Sequence, residues 1–384
     1  MYKETPAIRH DALMTRLRHL LLCCMLLTGC CVRCDVASAE PAAPTGADSL
    51  VVLQYHFVSA DTPRSTSLTP EEFETHLELL ASEGFTIVDL PSALATLRAG
   101  GTLAPRSAAI TFDDGYRSVH TEALPRLARR DWPFTVFVNP GPIDAGSRLH
   151  ADWRALAEMQ AAGATIANHG MEHAFLARRD PRAPPESDAD FDARMRREIA
   201  AAEDRIEAEL GVRHGLFAYP YGEYDDRIRA WLQREGYVGI GQHSGVVWSG
   251  SDFRALPRFP FSGSYADPSQ FLDKVRMKPL PVLDAESLDD PLRATAEARP
   301  ELVFDVAAGP LRPDTLACYA TRQGRMDTIT DRIAEDRVRV SARPKQALPL
   351  GRSRYNCTAR DREGGWLWFS QPWLRLGPDG EAPH

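Results

Sequence analysis

Ala108-Ala109-Ile110-Thr111-Phe112-Asp113-Asp114-Gly115-Tyr116 is an apolar run that stops on two adjacent carboxylates. With Pro105 before it and Gly115 behind, 108–112 has the length and apolar continuity of a parallel strand covered on both faces. Asp113 and Asp114 then stand at its C-terminal end, where the loops of βα units converge and catalytic groups gather. Neighbours on extended backbone point to opposite sides, so the two acids suit different tasks, one holding a metal and the other moving protons. A helix N-cap is the alternative use of Asp at such a turn.

Outward from this stretch the chain repeats the same grammar. Apolar segments at 50–55, 85–88, 134–138, 164–167, 216–219 and 237–240 join 108–112 as seven strands alternating with amphipathic helices, the pattern of an α/β domain with a parallel sheet. Thr69-Pro70-Glu71-Glu72 opens one helix with an N-cap, a Pro and a capping-box acid, and Phe73, Leu77 and Leu80 form its buried face. After 164–167 comes Asn168-His169-Gly170-Met171-Glu172-His173. A spacing of four brings both imidazoles to one side of a helical turn, where two nitrogens can reach one divalent ion. Phe217-Ala218-Tyr219-Pro220-Tyr221-Gly222-Glu223 is a third strand end, where Pro220 restrains the backbone and Gly222 permits a sharp turn. His56 ends the first strand on the same rim, with substrate contact and plain packing both open. His76, His120, His150 and His214 lack partners at ligand spacing and read as surface residues.

Thr111-Phe112-Asp113-Asp114-Gly115, His169 with His173, and Tyr219-Pro220-Tyr221-Gly222 resemble, in order and separation, the polysaccharide deacetylases of carbohydrate esterase family 4. The resemblance implies a distorted (β/α)7-type barrel over 50–278. It implies a divalent metal held by Asp114, His169 and His173, with zinc foremost and cobalt or nickel compatible with the same ligands. Asp113 would be the base, the Tyr221 N–H would face the oxyanion, and Tyr219, Pro220 and His56 would contact substrate. Two departures matter. The family commonly has Arg two residues before the Pro, where this chain has Ala218, so Arg258 in Leu256-Pro257-Arg258-Phe259-Pro260 is expected to reach Asp113 from a neighbouring strand. No Leu-x-x-His supplies the customary general acid, and His243, in Gly239-Ile240-Gly241-Gln242-His243-Ser244-Gly245, is the nearest candidate, with substrate binding as its alternative. These departures are closer to exported poly-N-acetylglucosamine deacetylases than to chitin or peptidoglycan enzymes.

Residues 1–30 read as a signal peptide. Arg16 and Arg18 precede an apolar stretch of about 8 to 13 residues, too short to span a bilayer comfortably. Leu27-Thr28-Gly29-Cys30 resembles the lipobox of bacterial lipoproteins, and Ala37-Ser38-Ala39 is a rival cleavage site; Arg33 and Asp35 make a poor approach to the latter. Either site implies export. The lipobox adds a lipid anchor at the periplasmic face of the outer membrane, because residue 31 is Cys rather than Asp, with 31–49 as a tether. Five of the seven Cys lie in the first 34 residues, leaving Cys318 and Cys357 as either one disulfide or two buried thiols. The whole chain carries a net charge of −8; removing 1–29 takes away four basic and two acidic residues and leaves 41 basic against 51 acidic. That balance argues against nucleic acid or anionic polymers as general partners.

After Lys278 the composition changes. Residues 279–300 read as a linker, and 301–384, with short alternating strands between Gly, Pro and Asp, as a small all-β sandwich-like accessory domain. Trp366, Trp368 and Trp373 suit either a sugar-stacking platform or a core. The functional expectation is a metal-dependent hydrolase removing N-acetyl groups from an N-acetylglucosamine-containing polysaccharide at the cell envelope. An O-acetyl esterase on xylan or another acetylated glycan, and a catalytically silent carbohydrate-binding protein, are the alternatives.

Overall fold

β1 (Ser49–Tyr55) is buried after its first residue, and its alternating side chains feed two cores. Val51, Leu53 and Tyr55 join a large cluster with helical residues such as Phe73 and Leu77, whereas Leu50 and Val52 join a smaller one on the other face. β2 (Ser107–Phe112) runs parallel to β1, in register from Leu50 opposite Ser107 to Tyr55 opposite Phe112. β3 (Phe134–Val138), β4 (Ala164–Asn168), β5 (Leu216–Ala218) and β6 (Val238–Ile240) follow in order, each parallel to the last. A computed structural model describes residues 48–180 and 182–383. The signal peptide, the lipobox and nearly all of the tether lie outside the described residues.

The sheet is a curled half-barrel of parallel strands wrapped by helices, less regular than seven equal βα units. The strand expected at 85–88 is only Thr86–Ile87, paired with β2 off the main path. Leu256 instead makes a parallel bridge to Ile240 of β6, and β7 (Phe259–Pro260) lies parallel to β1 at Leu53 and Gln54. Residues 256–260 therefore reach from the last strand back to the first. α1 (Pro70–Ser82) has the expected capping box between Thr69 and Glu72. His76 on that helix is a correction: it is fully buried, stacked on Phe271 at 4.0 Å, with its Nε2 against the Ala266 carbonyl at 2.9 Å.

Beyond residue 300 the chain is all β. Leu302–Ala307, Asp327–Arg332 and Arg337–Arg343 belong to one sheet. Leu311–Ala320, Gly351–Asp361 and Trp366–Arg375 belong to another. Phe304, Val306 and Val340 of the first share a core with Leu316, Tyr355 and Trp373 of the second. Cys318 and Cys357, directly opposite in the ladder, form a disulfide. The segment expected as a linker is structured: Lys278–Pro279 pairs with Trp366–Arg375, and Val282–Leu283 with Leu302–Ala307. Trp368 packs on Phe259 at 6.0 Å and donates its Nε1–H to the Ser244 carbonyl, fastening the β region to the half-barrel. All described residues belong to one compact unit, and none of their helices is long and apolar enough to cross a membrane.

Candidate metal centre and active site

Strand alternation puts Gln54, Thr111 and Asp113 on one face. Gln54 and Thr111 are register partners, and the Asp113 N–H still donates to the Tyr55 carbonyl, so Asp113 is the last residue of the ladder. Alternation then breaks. Asp114 is left-handed at φ 69° and Gly115 at φ 65°; a Cβ on Gly115 would meet Val138 at 2.9 Å. His173 (φ 55°) and Tyr221 (φ 59°) share that conformation. A non-glycine residue there costs ~1–3 kcal/mol, a strain that clusters at functional sites.

Asp113 is fully buried and held from several directions. Arg258 donates Nη1–H to Oδ1 at 2.7 Å and Nη2–H to Oδ2 at 2.8 Å, while Gln54 Nε2–H donates to Oδ2 at 2.7 Å. His56 Nε2 stands 4.0 Å from Oδ2. Burial pushes the Asp113 carboxyl up, but the Arg258 guanidinium, with the His169 ring, outweighs it and holds the group at about 2. Arg258 is itself fully buried, its Nε–H on the Gly241 carbonyl at 2.9 Å and its Nη1–H also reaching Thr111 Oγ1 at 3.1 Å.

Asp114 faces the two imidazoles. Its Oδ1 lies 3.2 Å from His169 Nε2 and 3.3 Å from His173 Nε2. Ligands of a tetrahedral ion bonded at ~2.0–2.1 Å stand ~3.3 Å apart. Ligand atoms of all three residues lie within 4.8 Å of one another, yet Asp114 Oδ1 and His169 Nε2 are buried without an aligned hydrogen-bond partner. That donor set fits a divalent ion. His169 Nδ1–H donates to the Ala218 carbonyl at 2.8 Å, which selects the tautomer whose Nε2 lone pair faces Asp114. Asn139 Nδ2–H holds the His169 and Gly170 carbonyls at 2.6 and 2.9 Å. Burial opposes charge on both rings. Next to the two carboxylates His169 is nonetheless raised, whereas His173, buried and beside His169, is lowered to about 4.

The remaining expected residues divide. The Tyr221 ring stacks on Phe175 at 3.8 Å and meets the His173 ring edge-on at 4.3 Å, which places it beside the cluster. Tyr219 and Pro220 are corrections as substrate contacts: both are buried, and the Tyr219 hydroxyl donates to the Arg254 carbonyl. His243 is another: among the described residues no contact joins its ring to Asp113, Asp114, His169 or His173, and it lines a cleft with Tyr224 and Arg354 instead. The three tryptophans form no common platform. Trp368 is packed against the half-barrel, Trp373 is core, and Trp366 is exposed under Arg360. Gln54 escaped sequence reading, although its parity with Asp113 was a usable signal. Asn139, and Tyr116 stacked on Phe57 at 3.5 Å near Asp114, had no such signal.

An α/β half-barrel whose strand ends gather two acids, two imidazoles and a bidentate Arg defines a hydrolase site. Residues 100–240 match the family described as polysaccharide deacetylase. YxkH of Bacillus subtilis (strain 168), described as a polysaccharide deacetylase, is 24% identical over 210 residues, covering 54% of this chain and 70% of that protein. The Streptococcus pyogenes deacetylase PplD in complex with acetate has a TM-score of 0.53 at 21% identity, covering 60% of this chain and 99% of that one. IcaB from Ammonifex degensii has a TM-score of 0.51 at 25% identity, covering 59% and 97%. Over residues 100–240 the chain is similar to the polysaccharide deacetylases, and the match and the site together make it a deacetylase hydrolase.

Proposed function

We propose that the protein is a metal-dependent deacetylase that removes N-acetyl groups from an N-acetylglucosamine-containing polysaccharide at the cell envelope. The observation that carries this reading is the pairing of a buried Asp114–His169–His173 donor set with a separately buttressed Asp113. When bound, a divalent ion would polarise the acetyl carbonyl and acidify a water. Zinc suits the ligands best, with cobalt or nickel as alternatives.

Asp113, held ionised and oriented by Arg258 and Gln54, accepts a proton from the attacking water. The oxygen of that water bonds to the acetyl carbon, and the Tyr221 backbone N–H stabilises the oxyanion. The C–N bond then breaks and the amine takes a proton, leaving acetate and a glucosamine unit. His56, 4.0 Å from Asp113 and partly exposed, is better placed to deliver that proton than His243. Acetate release by the zinc-loaded protein from N-acetylglucosamine oligomers, with acetylated xylan alongside, tests the reading. Release from xylan alone would replace it with an O-acetyl esterase, and release from neither would leave a carbohydrate-binding protein.

Localisation belongs to the same proposal. Export with a lipid anchor at Cys30 would hold the enzyme at the periplasmic face of the outer membrane, near an exported glycan.

A further inference from the structure

A cleft of about 670 Å³ lies between the Tyr221 turn and the strand Gly351–Asp361, within the ~300–1,000 Å³ of ordinary ligand pockets. We infer that it binds an anionic unit of the polysaccharide, a carboxylate- or phosphate-bearing sugar near the acetylated one. The inference rests on the deacetylase reading for its polymer and on the cleft's own residues for its charge.

Arg322, Arg352 and Arg354 all line the cleft. Among the described residues Arg322 and Arg354 have no carboxylate partner, and the Arg354 guanidinium makes only a long contact, 3.4 Å, to Ser244 Oγ. Burial lowers the Arg354 pKa, opposed by Tyr265 and assisted by the repulsion of Arg352, so the fold holds a cation that burial and Arg352 both disfavour. An anion in the cleft relieves both. Arg352 donates to the Tyr221 carbonyl at 2.8 Å. Its nearest acid, Glu223 at 3.8 Å, is already gripped by Arg178 through bonds of 2.7 and 2.8 Å. The one carboxylate on the cleft wall is thereby neutralised. His243, half-buried, adds a ring whose shielded Nδ1 has no hydrogen-bond partner.

Tyr221 ties the cleft to the reaction. Its ring touches His173 on one side, and the residue forms part of the cleft wall on the other, so a unit bound there belongs to the same chain as the acetylated sugar. The net charge of −8 sets the field at a distance, but within a Debye length of ~8–10 Å the three arginines decide. The combination favours an isolated acidic sugar in a mixed polymer over a densely charged polyanion.

The test is calorimetric binding of the full chain to two oligosaccharides of equal length, one of N-acetylglucosamine alone and one alternating it with a hexuronate. The hexuronate oligomer is expected to bind more tightly, and Arg354→Gln or Arg322→Gln to cut that preference on the order of tenfold, with partial rescue in Arg354→Lys. Equal affinity in the wild type, or a preference unchanged in both Gln variants, overturns the inference; so does binding of inorganic phosphate without any oligomer preference. Exposed Arg322 carries the test if Arg354→Gln misfolds. Acetate measured in parallel separates the two readings. Acetate from both oligomers without preference removes the anionic subsite alone, whereas no acetate from any glycan removes the deacetylation reading and leaves the binding result to judge the cleft.

Discussion

Arg258 and Asp113, 145 residues apart, meet in a two-pronged ion pair of 2.7 and 2.8 Å in which both side chains are wholly shielded from solvent. The guanidinium comes from the segment that closes the half-barrel, and the carboxylate from the end of β2. A bidentate fork fixes the carboxylate plane, which a lysine ammonium does not reproduce. Arg258→Lys should keep the fold and lower kcat roughly 10- to 100-fold. Arg258→Ala leaves a buried carboxylate unpaired and should cost ~3–5 kcal/mol of stability. Steady-state kinetics with thermal melts check both, and wild-type kcat in Arg258→Lys would refute the positioning role.

Asp113 and Asp114 should separate by assay. Asp113→Asn removes the proton acceptor while leaving Asp114, His169 and His173 in place, so acetate release should fall by ~10²–10⁴ with metal content retained. His169→Ala opens the donor set and should lose metal and activity together. Elemental analysis of purified variants reads the difference. If Asp113→Asn emptied the site and Asp114→Asn did not, the two roles would be reversed.

His76 predicts an acid limb of stability unrelated to catalysis. Burial lowers its pKa to about 4, against the pull of the Ala266 carbonyl and Glu72, while the unfolded chain titrates near ~6.5. Below that value the unfolded state takes up a proton that the folded state refuses, so stability falls as pH drops from ~6.5 towards 4, by up to ~3 kcal/mol. His76→Gln should be less stable at pH 7 yet flatter across this window. Denaturant melts at several pH values test it, and parallel pH curves for the two proteins would sink it.

Cys30 gives the localisation proposal its sharpest test. Radiolabelled palmitate should enter the wild-type protein and not Cys30→Ala, with the label in the outer-membrane fraction. A mature N-terminus at Glu40, or labelling that survives the substitution, would point to cleavage after Ala39 and a soluble exported protein.

Sequence alone determined what depends on neighbours in the chain. The run 108–112 reads as a strand because its apolar side chains continue without a break, and Asp113 and Asp114 mark its end because the apolar run stops there. His169 and His173 are paired by their spacing, and the capping box of α1 by adjacent residues. Ala218 even exposed a missing cation, which directed attention to Arg258. Only the tertiary structure decided what depends on register and closure. Residues 256–260 stand outside the seven apolar runs, yet they bridge from the last of the parallel strands to β1 and aim Arg258 at Asp113. Gln54 reaches Asp113 because β1 and β2 pair Gln54 with Thr111, and a one-residue slip would turn it away. Tyr219 and His243 lie close in sequence to functional turns but are placed elsewhere, Tyr219 by burial and His243 by its position on the neighbouring cleft. His76 is buried because α1 packs against a helix nearly 200 residues later, a contact that no local pattern contains.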